Sequence, residues 1–276
     1  LVDAPAEETG DAMACCPGAT LEHDFEIAGK DLVNDLVDGW GPVLEVWEGH
    51  ASDEEIRFGG SSGGAATALA LHCIESGGMD MAVHTGTRSD VPYLNTTVKS
   101  RNREELLAQT GSRYAPASPC DALHDIEVGN ESCVFIGKPC DVAAVRKATT
   151  LRPELDARIG CTIAFFCAGV PSTRGTLELL KKVGVEDPST VQSLRYRGNG
   201  WPGMWTVVFN DGSEQSRELT YQESWGFLQR FRQWRCYICP DHTGEFADIA
   251  VGDPWYRQVE PGELGSSLFV VRSEQI

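Results

Sequence analysis

The sequence is short of basic residues and of long apolar runs. It holds 23 Lys and Arg against 41 Asp and Glu, which gives a formal net charge of −18. Nucleic-acid backbones and anionic membrane surfaces both need Lys and Arg on the protein, so we expect neither as a partner. No apolar run approaches the roughly eighteen residues that a membrane-spanning helix requires. We therefore expect a cytoplasmic protein without a membrane span.

The beginning of the chain lacks an initiator Met and a secretion signal. LVDAPAEETGDAMACCPG at 1–18 has no basic stretch followed by an apolar one, and it is typical of the interior of a longer chain. Residues 1–41 are acidic, with Gly and Pro at intervals, and predict a loop-rich segment. Regular patterns begin at residue 42, so we expect one main domain over 42–276.

From residue 42 onward, apolar strands alternate with helical stretches. SCVFIG at 132–137 and CTIAFFC at 161–167 are typical of buried strands, and a helical pattern follows each of them. This alternation predicts an α/β fold with a mixed, largely parallel sheet and helices on its faces. WTVVFNDGSEQSREL at 205–219 places Asp-Gly between two extended runs, which predicts a β-hairpin insertion.

Ten cysteines are many for a chain of this length, which needs no disulfide staples. Cys73, Cys133 and Cys161 lie in apolar patterns, so we expect them to pack in the core. The other cysteines lie near the ends of predicted elements, where metal ligands are found.

Four of these cysteines form a candidate ligand set. Cys140 falls in the first turn of a predicted helix, whose dipole stabilises a thiolate. Cys167 ends a buried strand, and adjacent parallel strands end at one crevice. Cys236 and Cys239, in RCYICPD, would complete four thiolates. Zinc and a 4Fe-4S cluster both accept four thiolates. Because Cys140 and Cys167 each lie alone in the sequence rather than in a Cys-x-x-Cys pair, we favour the cluster over zinc. A redox dithiol is the third alternative.

ACCPGAT at 14–20 resembles the end of a ferredoxin-type cluster-binding run, in which Cys precedes Pro. Cys16-Pro17 matches this ending, but the preceding Cys-x-x-Cys-x-x-Cys is absent. Either the other ligands lie outside this chain, or Cys16 holds no cluster.

A loop of small residues, RFGGSSGGAATAL at 57–69, leads into an Ala- and Leu-rich helix. Its backbone amides and the positive end of the helix dipole suit a phosphate, and Ser61, Ser62 and Thr67 offer hydroxyl donors. The loop is neither a Walker A motif nor a Gly-x-Gly-x-x-Gly fingerprint. A tight turn that lets the helix pack closely is an equal alternative.

Several longer stretches together resemble one known family. In chain order they are SSGGAATALALHCIESG, GSRYAPASP, GKPCDVAAVRK, FFCAGVPS, YRGNGWPG and RCYICPDHTGEFADIAVGDPW. Over residues 42–256 the chain is similar to the coenzyme F-420 hydrogenase/dehydrogenase beta-subunit family. That family includes 7-hydroxymethyl chlorophyll a reductase and ferredoxin-dependent divinyl chlorophyllide reductases.

The resemblance implies an iron–sulfur flavoprotein that binds FAD and at least one 4Fe-4S cluster. It assigns cluster ligation to Cys140, Cys167, Cys236 and Cys239. It places Lys138 beside the flavin as a catalytic residue, where a cation would stabilise reduced, anionic FAD; solvent exposure on a loop is the alternative. The other flavin contacts that it implies are Gly60, Ser61, Ser62, Gly63, Gly64, Thr67, Ser112, Arg113 and Tyr114.

In such a protein, electrons would enter singly through the cluster, collect in pairs on FAD and leave as hydride to an organic substrate, or run in reverse. We expect a ferredoxin-linked oxidoreductase of a small molecule, with ferredoxin or a redox subunit as partner, monomeric or oligomeric. Residues 1–41 would be the remnant of a ferredoxin-like N-terminal segment. The alternatives are a deazaflavin (coenzyme F-420) oxidoreductase, a non-catalytic electron-transfer subunit of a larger complex, and a zinc-stabilised binding module. No motif identifies the substrate.

Overall fold

A computed structural model describes residues 6–23, 31–211, 215–256, 258, 260 and 262–274 of the chain. The strands are β1 Glu45–Gly49, β2 Met81–Thr87, β3 Asn95–Ser100, β4 Cys133–Gly137, β5 Ile159–Phe165, β6 Val191–Arg195, β7 Met204–Phe209, β8 Ser216–Thr220, β9 Ile249–Gly252 and β10 Ser267–Val271. The α-helices are α1 Ala6–Cys15, α2 Asn34–Trp40, α3 Glu54–Gly59, α4 Ala65–Glu75, α5 Arg103–Leu107, α6 Leu123–Val128, α7 Pro139–Leu151, α8 Pro153–Asp156, α9 Thr173–Lys182, α10 Tyr221–Leu228 and α11 Trp234–Tyr237. Short 3₁₀ helices lie at Pro119–Ala122, Pro188–Thr190 and Gln229–Phe231.

Seven strands form the central sheet, in the order β1-β10-β9-β5-β4-β2-β3. The neighbours β9, β5, β4 and β2 run parallel, and antiparallel strands lie at both edges. The predicted α/β fold with a mixed, largely parallel sheet is therefore confirmed. Because parallel strands end at the same sheet edge, β4, β5 and β9 deliver the residues that follow them to one crevice.

Helices cover both faces of this sheet, which explains its continuous apolar strands. All five residues of β4 are buried, as is usual where helices lie on both sides. On one face α7 packs Val142 and Val145 into a core that includes Phe135. On the other face α4 contributes Ala70 and Leu71 to a second core.

The three cysteines predicted to pack in the core do so. Cys133 and Cys161 are buried, and the half-buried Cys73 packs against the same apolar cluster as Cys161. All ten cysteines lie in the described part of the chain, and each is a free thiol rather than part of a disulfide.

A second sheet is antiparallel and has the strand order β6-β7-β8. Its strands β7 and β8 pair as the predicted hairpin requires, although residues 212–214 of the turn lie outside the described residues. Strand β6 was missed in the sequence, and it turns the hairpin into a sheet with a core of its own. That core includes Trp205 and Tyr196 from the strand region, with Leu179 of α9 and Leu228 of α10.

The N-terminal segment, predicted to be loop-rich over 1–41, contains α1 and α2, and α1 contacts α7. Arg272 Nη1 donates to the carbonyl oxygens of Trp40 and Pro42 at 2.6 and 2.7 Å. These bonds attach the end of this segment to the central domain, while the domain boundary at residue 42 stays a prediction. Among the residues that the structure describes, no helix has the length and apolar character needed to cross a membrane.

Candidate functional site

The four cysteines of the predicted ligand set line one cavity of about 190 Å³. Cys140 lies in the first turn of α7, which begins directly after β4. Cys167 lies just beyond β5, the parallel neighbour of β4. Cys236 lies in α11, and Cys239 follows this helix. The structure thus brings the four together, and their ligation of a cluster or metal stays a prediction.

Backbone hydrogen bonds carry the Cys-x-x-Cys segment to the end of β5. Gln233 N donates to Val170 O at 3.1 Å, and Cys167 N donates to His242 O at 2.9 Å. Val170 N also donates to Cys236 Sγ at 3.4 Å. The segment is therefore held on both sides of its cysteines by residues that follow β5.

Burial governs the protonation of two of these thiols. It raises the pKa of Cys140 to about 11 and also raises the pKa of Cys167. By themselves both thiols are neutral near pH 7, whereas a metal ion holds its cysteine ligands as thiolates. Within the described residues no three His, Cys, Asp or Glu side chains are grouped so as to hold a single metal ion. Four thiols spread around one cavity suit a positively charged inorganic group larger than a single ion, such as the core of an iron–sulfur cluster.

A larger cavity of about 670 Å³ adjoins the first. The residues that line both are Ala117, Lys138, Cys167, Gly169, Val170 and His242. The larger cavity lies at the carboxyl ends of β4, β5 and β9, where Gly137, Phe165 and Gly252 line it. Open α/β sheets bind ligands at this edge, and ligand pockets measure roughly 300–1,000 Å³. The cavity therefore has the place and the volume of a cofactor site.

The loop of small residues before α4 forms one wall of the larger cavity. The residues of this stretch that line the cavity are Gly60, Ser61, Ser62, Gly64, Ala65, Ala66 and Thr67. Gly64 has a φ of +74°, and a Cβ there would lie 2.6 Å from Ile56 O. A side chain at position 64 would therefore clash with α3, so glycine here allows α3 and α4 to pack closely. Gly63, which does not line the cavity, is packed in the same way, since a Cβ there would lie 2.8 Å from Ser267 N.

The loop hydroxyls also bind the protein itself. Ser61 Oγ accepts from Ser112 N at 2.6 Å, and Ser62 Oγ donates to Ser266 O at 2.5 Å. Thr67, on the first turn of α4, lines the cavity. The phosphate-binding and close-packing interpretations of this loop thus both have support from its geometry.

The segment 112–114 lines the larger cavity as well. The guanidinium of Arg113 donates to Leu194 O at 2.9 Å and to Asn95 Oδ1 at 2.8 Å. These bonds join the segment to β3 and β6, so the charge of Arg113 serves the fold. The ring of Tyr114 packs against those of Tyr196 and Trp225, with centroids 5.8 and 4.9 Å away.

Lys138 lies at the junction of the two cavities and lines both. Its Nζ bonds to Asp141 Oδ2 and donates to Ala117 O at 3.3 Å. Burial lowers the pKa of Lys138, but attraction to Asp141 outweighs it and the net shift is upward. The predicted cation is therefore present at the junction, and its side chain is mostly buried rather than exposed on a loop.

A buried ion pair on the larger cavity was not predicted from the sequence. Arg197 Nη1 and Nη2 each donate to Asp253 at 2.8 Å, and the Arg197 side chain is only 3% exposed. Trp201 Nε1 donates to the same carboxylate at 2.7 Å. The partners are 56 residues apart in the chain, so no local spacing relates them.

Aromatic side chains complete this wall, also without a signal in the sequence. The rings of Tyr221 and Trp255 stack at 5.4 Å, and Arg197 Cζ lies 4.7 Å from the Tyr221 ring centroid. Trp225 lines the same cavity. His84 is buried there, and burial lowers its pKa. The cavity is therefore bounded by flat rings as well as by the glycine loop.

Cys16 lines neither cavity, although its segment lies nearby. A methyl group placed on Gly18 would lie 3.6 Å from Arg235 Nη2 and 3.5 Å from Cys16 Sγ. The N-terminal segment thus contacts the residue before Cys236 without adding a thiol to the four-cysteine cavity. A second cluster at Cys16 stays a prediction that needs ligands from elsewhere.

Two family sequence models match this chain. One describes the C terminus of the coenzyme F420 hydrogenase/dehydrogenase beta subunit, and it matches residues 130–276. The other describes the N-terminal part of the same protein and matches residues 46–124. The two matches contain all four cysteines of the candidate site and the loop of small residues that lines the larger cavity.

Three curated relatives match most of this chain. The coenzyme F420 hydrogenase subunit beta of Methanosarcina barkeri is 26% identical over 231 residues, which cover 77% of this chain and 71% of the relative. The F420-dependent formate dehydrogenase 1 subunit beta of Methanococcus maripaludis is 25% identical, over 76% of this chain and 52% of the relative. The coenzyme F420-dependent sulfite reductase of Methanocaldococcus jannaschii is 25% identical, over 70% of this chain and 31% of the relative. The matched region is thus about half or less of the last two proteins.

A solved structure has the same fold. It is a chain in the F420-reducing NiFe hydrogenase complex from Methanosarcina barkeri, with a TM-score of 0.64 at 20% identity, covering 84% of this chain and 76% of that one. The family models, the curated relatives and the fold agree with one another. This chain belongs to the coenzyme F420 hydrogenase/dehydrogenase beta-subunit family.

Proposed function

We propose that this chain passes electrons between an iron–sulfur cluster and a flavin, and that an organic substrate exchanges hydride with that flavin. The observation that carries the proposal is the contact between the two cavities. Four thiols line one, the other has the volume of a ligand pocket, and six residues line both. Redox groups bound in the two cavities would be direct neighbours, which is what electron transfer between them needs.

Cys140, Cys167, Cys236 and Cys239 would hold a 4Fe-4S cluster as thiolates. A bound cluster supplies one-electron transfer, at a potential set by burial and by hydrogen bonds to sulfur. The amide of Val170, 3.4 Å from Cys236 Sγ, would stabilise the more negative, reduced state. The burial of Cys140 and Cys167 acts in the opposite direction, because it disfavours added negative charge.

FAD is the flavin that the larger cavity suits. The amides of Gly60 and Gly63 donate to Ile56 O at 3.1 Å and to Ser267 Oγ at 2.9 Å. Ser61, Ser62 and Gly64, which line the cavity at the start of the eleven-residue helix α4, would offer backbone amides and a helix dipole to a diphosphate. Tyr114 and Trp225 line the cavity and would pack against the flat parts of the cofactor, and a bound flavin supplies the switch between one- and two-electron chemistry. Lys138, which lines both cavities, would offer a cation to reduced, anionic flavin.

We infer the deazaflavin coenzyme F420 as the substrate. The names of three relatives refer to F420, which supports it over the unspecified ferredoxin-linked reductase favoured from the sequence. Trp255, 47% exposed and stacked on Tyr221, offers a flat surface at the edge of the larger cavity and would limit access of water. The one-electron partner at the cluster side would be a redox subunit or ferredoxin.

Iron content and visible spectra of anaerobically purified protein test the cofactors. We expect flavin absorbance with a broad iron–sulfur shoulder and about four iron atoms per chain. Cys239→Ala should lose the iron and the shoulder, whereas Cys73→Ala, at a half-buried thiol outside both cavities, should keep them. A colourless protein that holds zinc, or full iron in Cys239→Ala, would overturn the ligand set.

Turnover of the loaded protein tests the substrate. With reduced methyl viologen as electron donor, we expect the flavin- and cluster-loaded chain to reduce F420, seen as loss of the deazaflavin absorbance. Protein boiled before the assay is the control for direct reduction by the viologen. If loaded protein reduces neither F420 nor any other small acceptor, the chain is an electron relay within a larger complex.

A further inference from the structure

The segment that carries the Cys-x-x-Cys exposes large apolar side chains beside the four-cysteine cavity. Trp234 is 76% exposed, Tyr237 53% and Ile238 65%. They lie in or directly after α11, next to Cys236 and Cys239, which line the cavity. Single exposed apolar residues are common on protein surfaces, but contiguous ones mark interaction sites.

The same segment is basic, although the chain is strongly acidic. QRFRQWRCYIC at 229–239 contains three Arg and no Asp or Glu, in a chain with a net charge of −18. Arg230 and Arg235 are exposed, and Arg232 is half-buried. Within the residues that the structure describes, none of the three has an acidic side chain in ion-pair contact. These charges are therefore available to a partner.

Part of this surface is held in place before any partner arrives. Arg232 Nη1 donates to Ala168 O at 3.0 Å, and its Cζ lies 4.6 Å from the centroid of the Tyr237 ring. Gln233 is joined to Val170 by the backbone bond that fixes the cysteine segment. Binding of a partner would thus cost little conformational entropy on this side of the interface.

We propose that this surface is the docking site of an acidic electron-transfer protein with an iron–sulfur centre near its own surface. We term it the cluster face, and its residues are Arg230, Arg232, Trp234, Arg235, Tyr237 and Ile238. The proposal rests on the proposed function, because it needs a cluster behind the face. The net negative charge of the chain repels an acidic carrier elsewhere, whereas the three Arg attract it here, so complementarity both selects and orients it.

Docking at the cluster face places the partner against the redox site. Gln233 and Arg235 belong to the face segment and also line the four-cysteine cavity. In the transfer step the reduced carrier loses one electron and the cluster gains it; no bond forms or breaks and no proton moves. A partner bound at the cluster face would therefore lie against residues that line the four-cysteine cavity.

The test uses two substitutions on the face and two matched controls. Trp234→Ala and Arg230→Glu change side chains that line neither cavity. Trp47→Ala, on β1, removes a Trp that is 61% exposed, and Arg217→Glu reverses an exposed charge on β8. Because none of the four is placed at a cofactor, all variants should keep wild-type iron content and wild-type reduction by dithionite.

Stopped-flow absorbance then measures reduction by a reduced, acidic plant-type ferredoxin. We expect Trp234→Ala and Arg230→Glu each to lower the second-order rate constant by roughly tenfold, with the controls within about twofold of wild type. The rate for the wild type should fall as salt rises, and this dependence should be weaker in Arg230→Glu.

The outcomes separate this proposal from the proposed function. Protein without iron would overturn the proposed function, and the docking site with it. Loaded protein that dithionite reduces, but that shows equal ferredoxin rates in wild type and face variants, overturns the docking site alone. Wild-type protein that dithionite reduces but ferredoxin does not also overturns the docking site. So does a Trp234→Ala variant whose only change is the separation of a dimer of this chain, since a second copy would then cover the face.

Discussion

Asp253→Ala should destabilise the protein strongly because it leaves a buried guanidinium without its counter-charge. Asp253 accepts from both terminal nitrogens of Arg197 at 2.8 Å and from Trp201 Nε1 at 2.7 Å. The side chains of Arg197 and Asp253 are 3% and 16% exposed. Water can therefore reach little of the charge that the substitution would leave unpaired.

The size of the effect follows from the burial of Arg197. Removing one partner of a buried ion pair costs about 3–5 kcal/mol, because the remaining charge is neither solvated nor paired. Replacing both partners by apolar groups is often close to neutral, so Arg197→Met with Asp253→Ala should recover much of the loss. The exposed pair Arg88–Asp90, with side chains 42% and 61% exposed, is the comparison: Asp90→Ala should leave the free energy of unfolding close to that of wild type, because water screens and solvates both charges.

Urea unfolding followed by circular dichroism measures these differences from the midpoint and the slope of each transition. We expect the order of stability to be wild type, Asp90→Ala, the double variant and then Asp253→Ala, with unchanged slopes. A loss below about 1 kcal/mol in Asp253→Ala would refute the reasoning, because Arg197 would then have access to water or to another counter-charge. A double variant no more stable than Asp253→Ala would show that lost packing, not stranded charge, sets the cost.

Two further predictions concern the wall of the larger cavity. Burial lowers the pKa of His84, so its contribution to stability is complete above the unfolded pKa of about 6.5 and is lost as the pH falls below that value. His84→Gln should therefore lose less unfolding free energy than wild type between about pH 7.5 and 5.5, and an equal loss would contradict this. Gly64→Ala would put a Cβ 2.6 Å from Ile56 O at a φ of +74°, and it should cost at least about 1–2 kcal/mol and lower the flavin content of purified protein. Gly78→Ala, at a φ of +72° with nothing within 4 Å of its Cβ, is the control for backbone strain alone, and equal effects of the two would exclude the contact with Ile56 as a cause.

The central sheet was predictable because its signals are local. The buried strands β4 and β5 are each a short apolar run with a helical pattern after it, as in CVFIG followed by PCDVAAVRKATTL. This order specifies parallel neighbours, and parallel neighbours bring the residues that follow them to one edge. This strand order was enough to predict that Cys140 and Cys167 lie close together, since β4 and β5 are adjacent and parallel.

The second sheet was only half predictable. The Asp-Gly between two extended runs marked β7 and β8. Strand β6 is joined to β7 by the eight residues YRGNGWPG rather than by a two-residue hairpin turn, so the hairpin pattern does not extend to it. The pair Arg197–Asp253 depends on where this sheet packs against the end of β9. Tertiary packing determines such a contact between distant segments, and no residue spacing within a single sequence indicates it.

The connection between β5 and β9 explains why the two cavities touch. It leaves the central sheet at Cys167, forms the second sheet and α10, and returns through the Cys-x-x-Cys to His242. One crossover therefore supplies the second pair of thiols and also the aromatic wall of the larger cavity, including Tyr221 and Trp225. Its two ends are held together by the bond from Cys167 N to His242 O at 2.9 Å. Because the ends lie at the shared wall, changes within the second sheet can reshape the aromatic wall of the larger cavity without separating the two cavities.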